Sequence, residues 1–378
     1  MLKLGMLSPF AHAAGRRSTT ENLVVIVEAN GVVGLGEGVP RQHVTNETVE
    51  TALAAMTRLD VAGLGEVLAA PTFEAAVQRV ETLALAETLA AGEVTLAGAA
   101  ACAVELAVLD AIVRRHRVSL VELPRALGLP PGAPRDRYPL MVTLDLDRDA
   151  AWLLARWPSA APRQLKIKMG VDADRDVERA RGIRAAVGPE VTISVDTNMA
   201  WSLDQACEMI ARLAPFSIAW YEEPLARRAF ADYAELRRRT SARVMLDESI
   251  CSMRDLEAAT GACDLVNVKL SKCGGMIPAL RLAHAARDAG LGVQLGAMVG
   301  ELGVLAAARR RIAAMTEHVA LDAPALYRQS IVREDSGVDY LAMTCGDLPG
   351  PGLGVTPNEP VIERHTSARR IWSEAGWS

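Results

Sequence analysis

From about Tyr138 onward, short runs rich in β-branched residues alternate along the chain with segments of helical periodicity. This alternation is the sequence pattern of repeated βα units around a parallel sheet. Seven or eight such units predict a barrel. The predicted strands are 139–144, 164–169, 191–196, 218–222, 244–247, 265–270, 293–297 and 318–321.

Two of the segments between these strands carry sequence signals for the start or the end of a helix. One helix begins at Ser202, where Gln205 stands at the third position beyond the cap and completes a capping box. Another has apolar residues at helical spacing and ends at Gly188-Pro189, the glycine and proline signal of a helix terminus. The alternation therefore consists of strands and helices rather than isolated apolar runs.

The first 130 residues follow a different order. An alternating strand at 23–28, a glycine turn and a second strand at 32–36 precede helices from about 45 to 116. The glycines of Gly-Leu-Gly-Glu-Gly at 34–38 lack the spacing of a dinucleotide-binding loop, so a hairpin region is predicted there. This region reads as a separate α+β domain.

Proline- and glycine-rich segments suggest the domain limits. Residues 129–134 form the natural linker, because proline removes hydrogen-bond donors and holds the backbone extended. The predicted domains are an α+β domain at 1–130, a barrel at 131–325, and a C-terminal segment at 326–378 that packs back on the first domain.

Composition excludes several classes of partner. The 378 residues carry 41 Lys and Arg against 46 Asp and Glu, and the net charge of -5 gives no reason to propose nucleic acid or an anionic membrane. No stretch approaches the roughly 20 apolar residues of a membrane span. The six cysteines form no CxxC pair, which favours free thiols in a reducing cytoplasm. A small anionic substrate remains compatible with these features.

Charged residues stand at the ends of successive predicted strands. They are Lys166, Lys168, Asp196, Glu222, Asp247 and Lys269. Because the C-terminal ends of barrel strands converge on one mouth, the three acids would repel one another unless a divalent cation neutralised them. Oxygen ligands favour Mg²⁺, with Mn²⁺ as the alternative. Such an ion binds a substrate carboxylate and stabilises the charge that forms when the neighbouring carbon loses a proton.

The lysines are candidates for moving that proton. Lys166 and Lys168 point to the same side of one strand, since residues i and i+2 share a face, and their mutual repulsion lowers the pKa of Lys168. Lys269 comes from a strand on the other side of the barrel. It would therefore approach the opposite face of the substrate.

The motifs KxK, DxN, EEP, DES and NVKLSKCGG, in this order and spacing, resemble the muconate lactonizing enzyme subgroup of the enolase superfamily over almost the whole chain. The resemblance implies an α/β fold, a modified (β/α)7β TIM barrel with an N-terminal α+β capping domain, and a homo-oligomer. It implies that the acid/base catalysts are Lys168 and Lys269, assisted by Lys166, which supports charge on the substrate carboxylate. It also implies three Mg²⁺ ligands: Asp196, Glu222 and Asp247.

Four further residues are candidates for substrate contact: His12, Asn198, Glu301 and Asp322. Asn198 reads equally well as a turn residue. His12 lies in a stretch that resembles the mobile capping-domain loop of the family, although an ordinary surface loop fits as well. Glu223 and Glu248 directly follow proposed ligands and are not assigned as ligands.

The sequence predicts removal of the proton and formation of an enolate more clearly than it predicts the reaction that follows. Relatives in the subgroup racemise or epimerise, cyclise muconates, or dehydrate to o-succinylbenzoate. Ala320-Leu-Asp322 lacks the first acid of the Asp-x-Asp of dipeptide epimerases, and the loop at 298–302 departs from their M-[IL]-E-[ST] pattern. The prediction is a Mg²⁺-dependent racemase, epimerase or muconate-type cycloisomerase of a small carboxylate. The alternatives are a dehydratase and a non-catalytic relative.

Overall fold

The computed structural model describes most of the chain. The described residues are 1–29, 31–92, 94, 96–132, 135–157, 162–315, 321–322, 330–333, 338–339, 342–348, 350–373 and 376–377. The strands are β1 Leu2–His12, β2 Gly15–Ala29, β3 Val32–Gly38, β4 Tyr138–Leu144, β5 Gln164–Lys168, β6 Thr192–Asp196, β7 Ile218–Glu222, β8 Val244–Leu246, β9 Leu265–Val268, β10 Gly292–Leu295, β11 Leu321–Asp322, β12 Val338–Asp339, β13 Thr344–Cys345, β14 Trp372–Ser373 and β15 Gly376–Trp377.

The helices join and surround these strands. They are α1 Gln42–Thr45, α2 Val49–Ala55, α3 Val61–Leu68, α4 Phe73–Thr82, α5 Leu85–Thr88, α6 Gly98–His116, α7 Leu123–Ala126, α8 Ala150–Arg156, α9 Ala173–Val187, α10 Leu203–Leu213, α11 Phe230–Arg239, α12 Met253–Ala258, α13 Leu270–Cys273, α14 Met276–Asp288, α15 Val304–Ile312 and α16 Glu359–His365. Short 3₁₀ turns occupy 56–58, 120–122, 214–216 and 313–315. Within the described ranges, no helix combines the length and apolarity that crossing a membrane requires.

The strands β4 to β11 form a barrel. Strands β4 to β10 pair in chain order, each parallel to the next. On the other side of β4, β11 pairs in parallel with Leu140 and Met141, and β13 pairs antiparallel with Tyr138 and Pro139. Because the last strand lies beside the first, the sheet turns back on itself. Helices fill the connections between successive strands, which gives the predicted (β/α)7β order.

The predicted barrel strands agree with the structure to within two residues at their ends wherever both are described. The strand predicted at 265–270 stops at Val268, because Lys269 caps α13 and the chain turns helical from Leu270. Most of the strand predicted at 318–321 lies outside the described residues, and Leu321 begins β11. The capping box of Ser202 and Gln205 is confirmed at the start of α10.

The N-terminal region contains a strand that the sequence did not predict. Strand β1 pairs antiparallel with β2 from Leu2 to His12, so the stretch around His12 is a hairpin arm rather than a loop. Its sequence, LKLGMLSPFAH, lacks a sustained alternation of apolar and polar residues. The backbone pairing with β2 therefore makes it a strand, which local pattern could not reveal.

Three glycines of β3 lie directly against the alanine-rich helix α6: Gly34, Gly36 and Gly38. A Cβ atom on them would lie 2.0, 1.9 and 1.9 Å from the carbonyl oxygens of Ala107, Ala103 and Ala99 respectively. Two strand residues advance roughly 6.8 Å and four helix residues roughly 6 Å, so strand and helix stay in register over this contact. The glycine motif is a packing device, not a ligand loop.

Replacing Gly36 by alanine is expected to lower the free energy of unfolding by about 1–3 kcal/mol or more, because the new methyl group meets helix backbone that cannot move aside. Urea denaturation measures the change. Gly65→Ala is the matched control, since Gly65 is exposed within α3 and a Cβ there meets nothing within 4 Å. Equal effects of the two changes would contradict the packing explanation.

Residues near the C-terminus contact the N-terminal region. The Leu353 amide donates to Asp110 of α6 at 2.8 Å, and the Arg114 guanidinium donates to the same carboxylate at 3.0 Å. The Met1 ammonium donates to the Ala368 carbonyl at 2.8 Å. The domain limits at 130 and 325 stay predictions, and residues 323–329 lie outside the described part of the chain.

Glu105 of α6 joins the N-terminal region to the barrel. Its buried carboxylate accepts hydrogen bonds from the backbone amides of Met276 and Ile277, at the start of α14. Gly275 must be glycine here, because it has a φ of 138° and its Cβ would lie 1.9 Å from Glu105 Oε2. The contact fixes the segment that follows Lys269.

Burial raises the pKa of Glu105 to about 8, against the lowering effect of its two backbone donors. A carboxyl with a raised native pKa contributes stability that is present at low pH and lost as pH rises through the native value. We therefore expect Glu105→Gln to remove part of the fall in unfolding free energy between pH 5.5 and 7.5, about 2–3 kcal/mol. Urea unfolding at both pH values, with exposed Glu74→Gln as control, measures it. An unchanged pH slope would contradict the assignment.

Candidate active site

The charged residues predicted at strand ends lie together at one end of the barrel. Lys168, Asp196 and Glu222 are the last residues of β5, β6 and β7 and occupy matching positions in the sheet register. Asp247 directly follows β8, and Lys269 directly follows β9. All five are buried or nearly so. Parallel strands bring these side chains together because their C-terminal ends share one mouth.

The lysines of β5 and the lysine after β9 lie on opposite sides of the barrel. Three strands separate β5 from β9 in one direction, and β4, β11 and β10 separate them in the other. Lys166, Lys168 and Lys269 nevertheless line one cavity. Their ammonium groups can therefore act on a bound molecule from two sides.

Each predicted metal ligand contacts a lysine ammonium. Lys168 Nζ lies 2.5 Å from Asp196 Oδ2. Lys166 Nζ lies 3.2 Å from Glu222 Oε2 and 3.9 Å from Asp196 Oδ2. Lys269 Nζ pairs with Asp247 Oδ2. The cluster is thus a buried network of alternating charges.

The motif NVKLSKCGG contains two further members of this network that were not predicted as site residues. Lys272 of α13 is fully buried and donates to Asp247 Oδ1 at 2.8 Å and to the Asp247 carbonyl. Asn267 donates to Glu222 Oε1 at 2.9 Å. Asn267 stands two residues before Lys269, so the strand period could have placed it on the same face. Lys272 lies in the helical turn after the strand, where no such rule applies.

Lysine is otherwise almost absent from this chain. Five lysines occur in the sequence, and four of them lie in this cluster. The fifth, Lys3, is exposed and pairs with Glu21 at 2.6 Å. The protein uses arginine for nearly all its other positive charges, so lysine-specific measurements report on this site.

Glu223 and Glu248, which follow two of the acids, take different positions. Glu223 accepts hydrogen bonds from the Asp247 amide at 2.6 Å and from the Tyr233 hydroxyl at 3.2 Å, so it supports the neighbouring strand end. Glu248 lines the cavity and accepts from Asn198 Nδ2 at 2.9 Å, while its buried Oε2 atom has no hydrogen-bond partner among the described residues. Asn198 Oδ1 also accepts a hydrogen bond from Lys168 Nζ at 2.7 Å, so the Asn198 side chain connects Lys168 to Glu248.

The remaining predicted substrate contacts have distinct surroundings. His12 lines the cavity, and burial followed by the charge of Lys168 lowers its pKa to about 3. Glu301 also lines the cavity, but its carboxylate already pairs with Arg309 and accepts from the Met298 amide at 2.7 Å. The backbone of Asp322 lies in β11, and its side chain is outside the described residues.

The pKa values of the three acids are shifted in different directions. Burial opposes ionisation of Asp196 and Asp247, but the adjacent lysines outweigh it and lower the pKa of both. Burial dominates at Glu222 and raises its pKa. At Lys269 burial favours the neutral form, yet Asp247 and the neighbouring glutamates outweigh burial and raise its pKa.

The acids have the chemistry of a hard-cation site. Three carboxylates project from adjacent strand ends. The buried Glu222 Oε2 has the Lys166 ammonium at 3.2 Å but no hydrogen bond of good geometry from any described residue. Among the described residues, no three His, Cys, Asp or Glu side chains are grouped closely enough to hold a metal ion as they stand. Lysine ammonium groups pair with the three carboxylates in this arrangement. Oxygen-only donors of this kind suit Mg²⁺ or Mn²⁺, and the residues fit such an ion.

Comparison with known families matches nearly the whole chain. The model of the mandelate racemase / muconate lactonizing enzyme N-terminal domain matches residues 3–124. The enolase C-terminal domain-like model matches residues 149–361.

Individual relatives give the same correspondence. The chain is similar to the N-succinyl-L-Arg/Lys racemase of Bacillus cereus, at 26% identity over 97% of this chain and 95% of that protein. It is 31% identical to the hydrophobic dipeptide epimerase of Roseobacter litoralis, over 83% of this chain and 86% of that one. A dipeptide epimerase from Enterococcus faecalis, solved with Mg and the dipeptide L-Leu-L-Tyr, superposes with a TM-score of 0.78 at 25% identity, covering 94% of this chain and 97% of the other.

Proposed function

The chain belongs to the mandelate racemase / muconate lactonizing enzyme family of the enolase superfamily, and we propose that it is a Mg²⁺-dependent racemase or epimerase of a small carboxylate. In this reaction the proton next to the substrate carboxylate leaves one face, and a proton returns to the other face. A muconate-type cycloisomerase is the second candidate.

The observation that carries the proposal is the placement of lysines on both sides of one cavity. Lys168 and Lys269 come from opposite sides of the barrel and line the same space. A proton acceptor on one face and a proton donor on the other are what inversion at a carbon requires. Two bases on one side would serve exchange but not inversion.

The metal site supports the same reaction. Asp196, Glu222 and Asp247 would hold Mg²⁺, with Mn²⁺ as the alternative, and the ion when bound supplies positive charge to the substrate carboxylate as the adjacent carbon becomes an enolate. The Enterococcus faecalis dipeptide epimerase, which the chain resembles, was solved with Mg.

The chain's own residues move the proton. Lys168 removes it from one enantiomer, and Lys269 delivers a proton to the opposite face; the roles exchange for the other enantiomer. Lys166, which lies on the same face of β5 as Lys168, adds a fixed positive charge beside it.

The cycloisomerase reading rests on departures from the epimerase patterns. Ala320-Leu-Asp322 lacks the first acid that dipeptide epimerases carry, and the loop at 298–302 reads Met-Val-Gly-Glu-Leu. In a cycloisomerase one lysine handles the proton while a substrate carboxylate adds within the molecule. A dehydratase would use one lysine as the acid for a leaving group.

Exchange in deuterium oxide tests the proposal. The Mg²⁺-loaded enzyme is incubated with N-succinyl and N-acetyl amino acids, dipeptides, cyclic amino acids and muconates, and NMR follows the α-proton. We expect deuterium incorporation accompanied by inversion for at least one class. Lactone formation without inversion would favour the cycloisomerase, and loss of a β-substituent would favour the dehydratase. No exchange across the whole panel would contradict the proposal and favour a non-catalytic relative.

A further inference from the structure

Adjacent arginines in the β1–β2 hairpin take different roles. Arg16 is exposed and pairs with Asp147, in the segment between β4 and α8, so it ties the hairpin to the barrel. Arg17 instead lines the cavity that contains the lysines. Neighbouring strand residues point to opposite sides, which explains the difference. Within the described part of the chain, the Arg17 guanidinium has no hydrogen-bond or ion-pair partner.

Among the described cations that line the cavity, Arg17 is the one whose charged group has no partner. Arg41 also lines it, but its guanidinium is occupied by the Pro40 and Val299 carbonyls and the Thr20 hydroxyl. The rings of His12 and His43 lie 5.8 Å apart. Burial, followed by nearby positive groups, lowers the pKa of both imidazoles, so they are neutral at neutral pH.

The carboxylates that line the cavity already have partners within the protein. Glu301 pairs with Arg309. Asp196 pairs with Lys168, at the end of the cavity where the metal ligands lie. Glu248 accepts a hydrogen bond from Asn198, whose side chain also accepts one from Lys168. Among the described side chains that line the cavity, Arg17 is therefore a positive charge without a paired negative one.

We infer that the substrate carries a second anionic group, which Arg17 binds while the carbon next to the first carboxylate sits between Lys168 and Lys269. This inference rests on the proposed function and narrows its substrate class. A guanidinium binds a carboxylate through two parallel hydrogen bonds, which gives both affinity and orientation. It repels the ammonium of an ordinary dipeptide. The matching chemistry is an amino acid acylated with a dicarboxylic acid, or a free conjugated dicarboxylate.

Ligands of similar shape that differ in charge test whether the enzyme recognises the second anionic group. One amino acid, such as methionine, is prepared with an N-succinyl group, with an N-succinamoyl group of nearly the same shape but no charge, and with an N-acetyl group. Calorimetry measures binding to the Mg²⁺-loaded wild-type enzyme and to Arg17→Gln. NMR in deuterium oxide measures α-proton exchange with the same compounds. cis,cis-Muconate, followed by its ultraviolet absorbance, represents the free dicarboxylates.

We expect the wild-type enzyme to prefer the N-succinyl compound to the N-succinamoyl compound by about 10- to 100-fold, the usual effect of one hydrogen-bonded charge. Arg17→Gln should lose that preference while its binding of the N-succinamoyl compound changes little. Arg16→Gln removes the same charge from the neighbouring position and should keep the preference. A preference for muconate over the N-succinyl compound, lost in Arg17→Gln, would assign the second anion to a free dicarboxylate.

Equal binding of the charged and uncharged compounds by the wild-type enzyme would overturn the inference. So would a preference that survives in Arg17→Gln, or a failure to bind either compound. Binding that depends on Arg17 without any exchange would uphold the role of Arg17 and count against the proposed reaction. The two conclusions therefore fail separately.

Discussion

Replacing Lys168 or Lys269 by alanine is expected to slow interconversion of the two substrate enantiomers by at least about 10²- to 10⁴-fold, the usual contribution of a positioned acid or base. Inversion needs both lysines, because each serves one face of the substrate. The loss should therefore be similar in the two variants. Polarimetry or chiral chromatography of the Mg²⁺-loaded enzymes measures it. Exposed Lys3→Ala is the control and should match the wild type.

Exchange with solvent should separate the two lysines. In Lys269→Ala, Lys168 remains and can still remove and return the proton of one enantiomer, which then gains deuterium without inverting. Lys168→Ala should show the same behaviour with the other enantiomer. NMR in deuterium oxide, started from each pure enantiomer, distinguishes these cases. Loss of exchange with the same enantiomer in both variants would contradict the assignment of one lysine to each face.

The fold is expected to tolerate these replacements. Without Lys269, Asp247 retains the ammonium of Lys272 at 2.8 Å. Without Lys168, Asp196 retains Lys166 at 3.9 Å. Neither carboxylate is left in the interior without an opposite charge, the situation that costs most. Unfolding measurements on the variants separate a catalytic loss from a folding loss.

Replacing Asp247 by asparagine is expected to weaken Mg²⁺ binding by at least about 100-fold, the upper range for losing a residue that only supports a metal ligand. Activity should fall with it. The change also leaves Lys269 and Lys272 buried without their shared carboxylate, so the free energy of unfolding should fall by about 3–5 kcal/mol. Calorimetric Mg²⁺ titration and urea unfolding measure the two effects.

Asp264→Asn is the matched control for this change. Asp264 directly precedes β9, at the opposite end of the barrel, and pairs with Arg237 at 2.5 Å. Its replacement should leave Mg²⁺ binding unchanged. If Asp247→Asn bound Mg²⁺ as well as the wild type, the proposed ligand set would be wrong.

The small number of lysines gives an independent view of the metal site. With five lysines in the chain, isotope-labelled side-chain amino groups give few resonances. Mg²⁺ should move those of Lys168 and Lys269, because both share carboxylates with the proposed site, and should leave Lys3 in place. A titration that moved none of the buried lysines would count against metal binding by these acids.

The barrel was predictable because its strands are buried and follow one another along the chain. Strand 218–222 has the same bounds in sequence and structure, and charged residues at strand ends stand out against apolar runs. Strand β1 was not predictable, because it depends on pairing with β2 rather than on its own pattern. Lys272 was missed for a related reason, since its contact with Asp247 crosses between a helical turn and a neighbouring strand end.

Sequence alone determined the order of the βα units, the charged residue at each strand end and the membership of the two lysines in one mouth, because strand periodicity and parallel topology act locally. Tertiary structure decided which charges pair. In the folded chain Glu301 pairs with Arg309, and Lys272 pairs with Asp247. Arg17 lines the cavity, whereas Arg16 pairs with Asp147 and connects the hairpin to the barrel. Those outcomes depend on contacts between residues far apart in the chain, which no local pattern encodes.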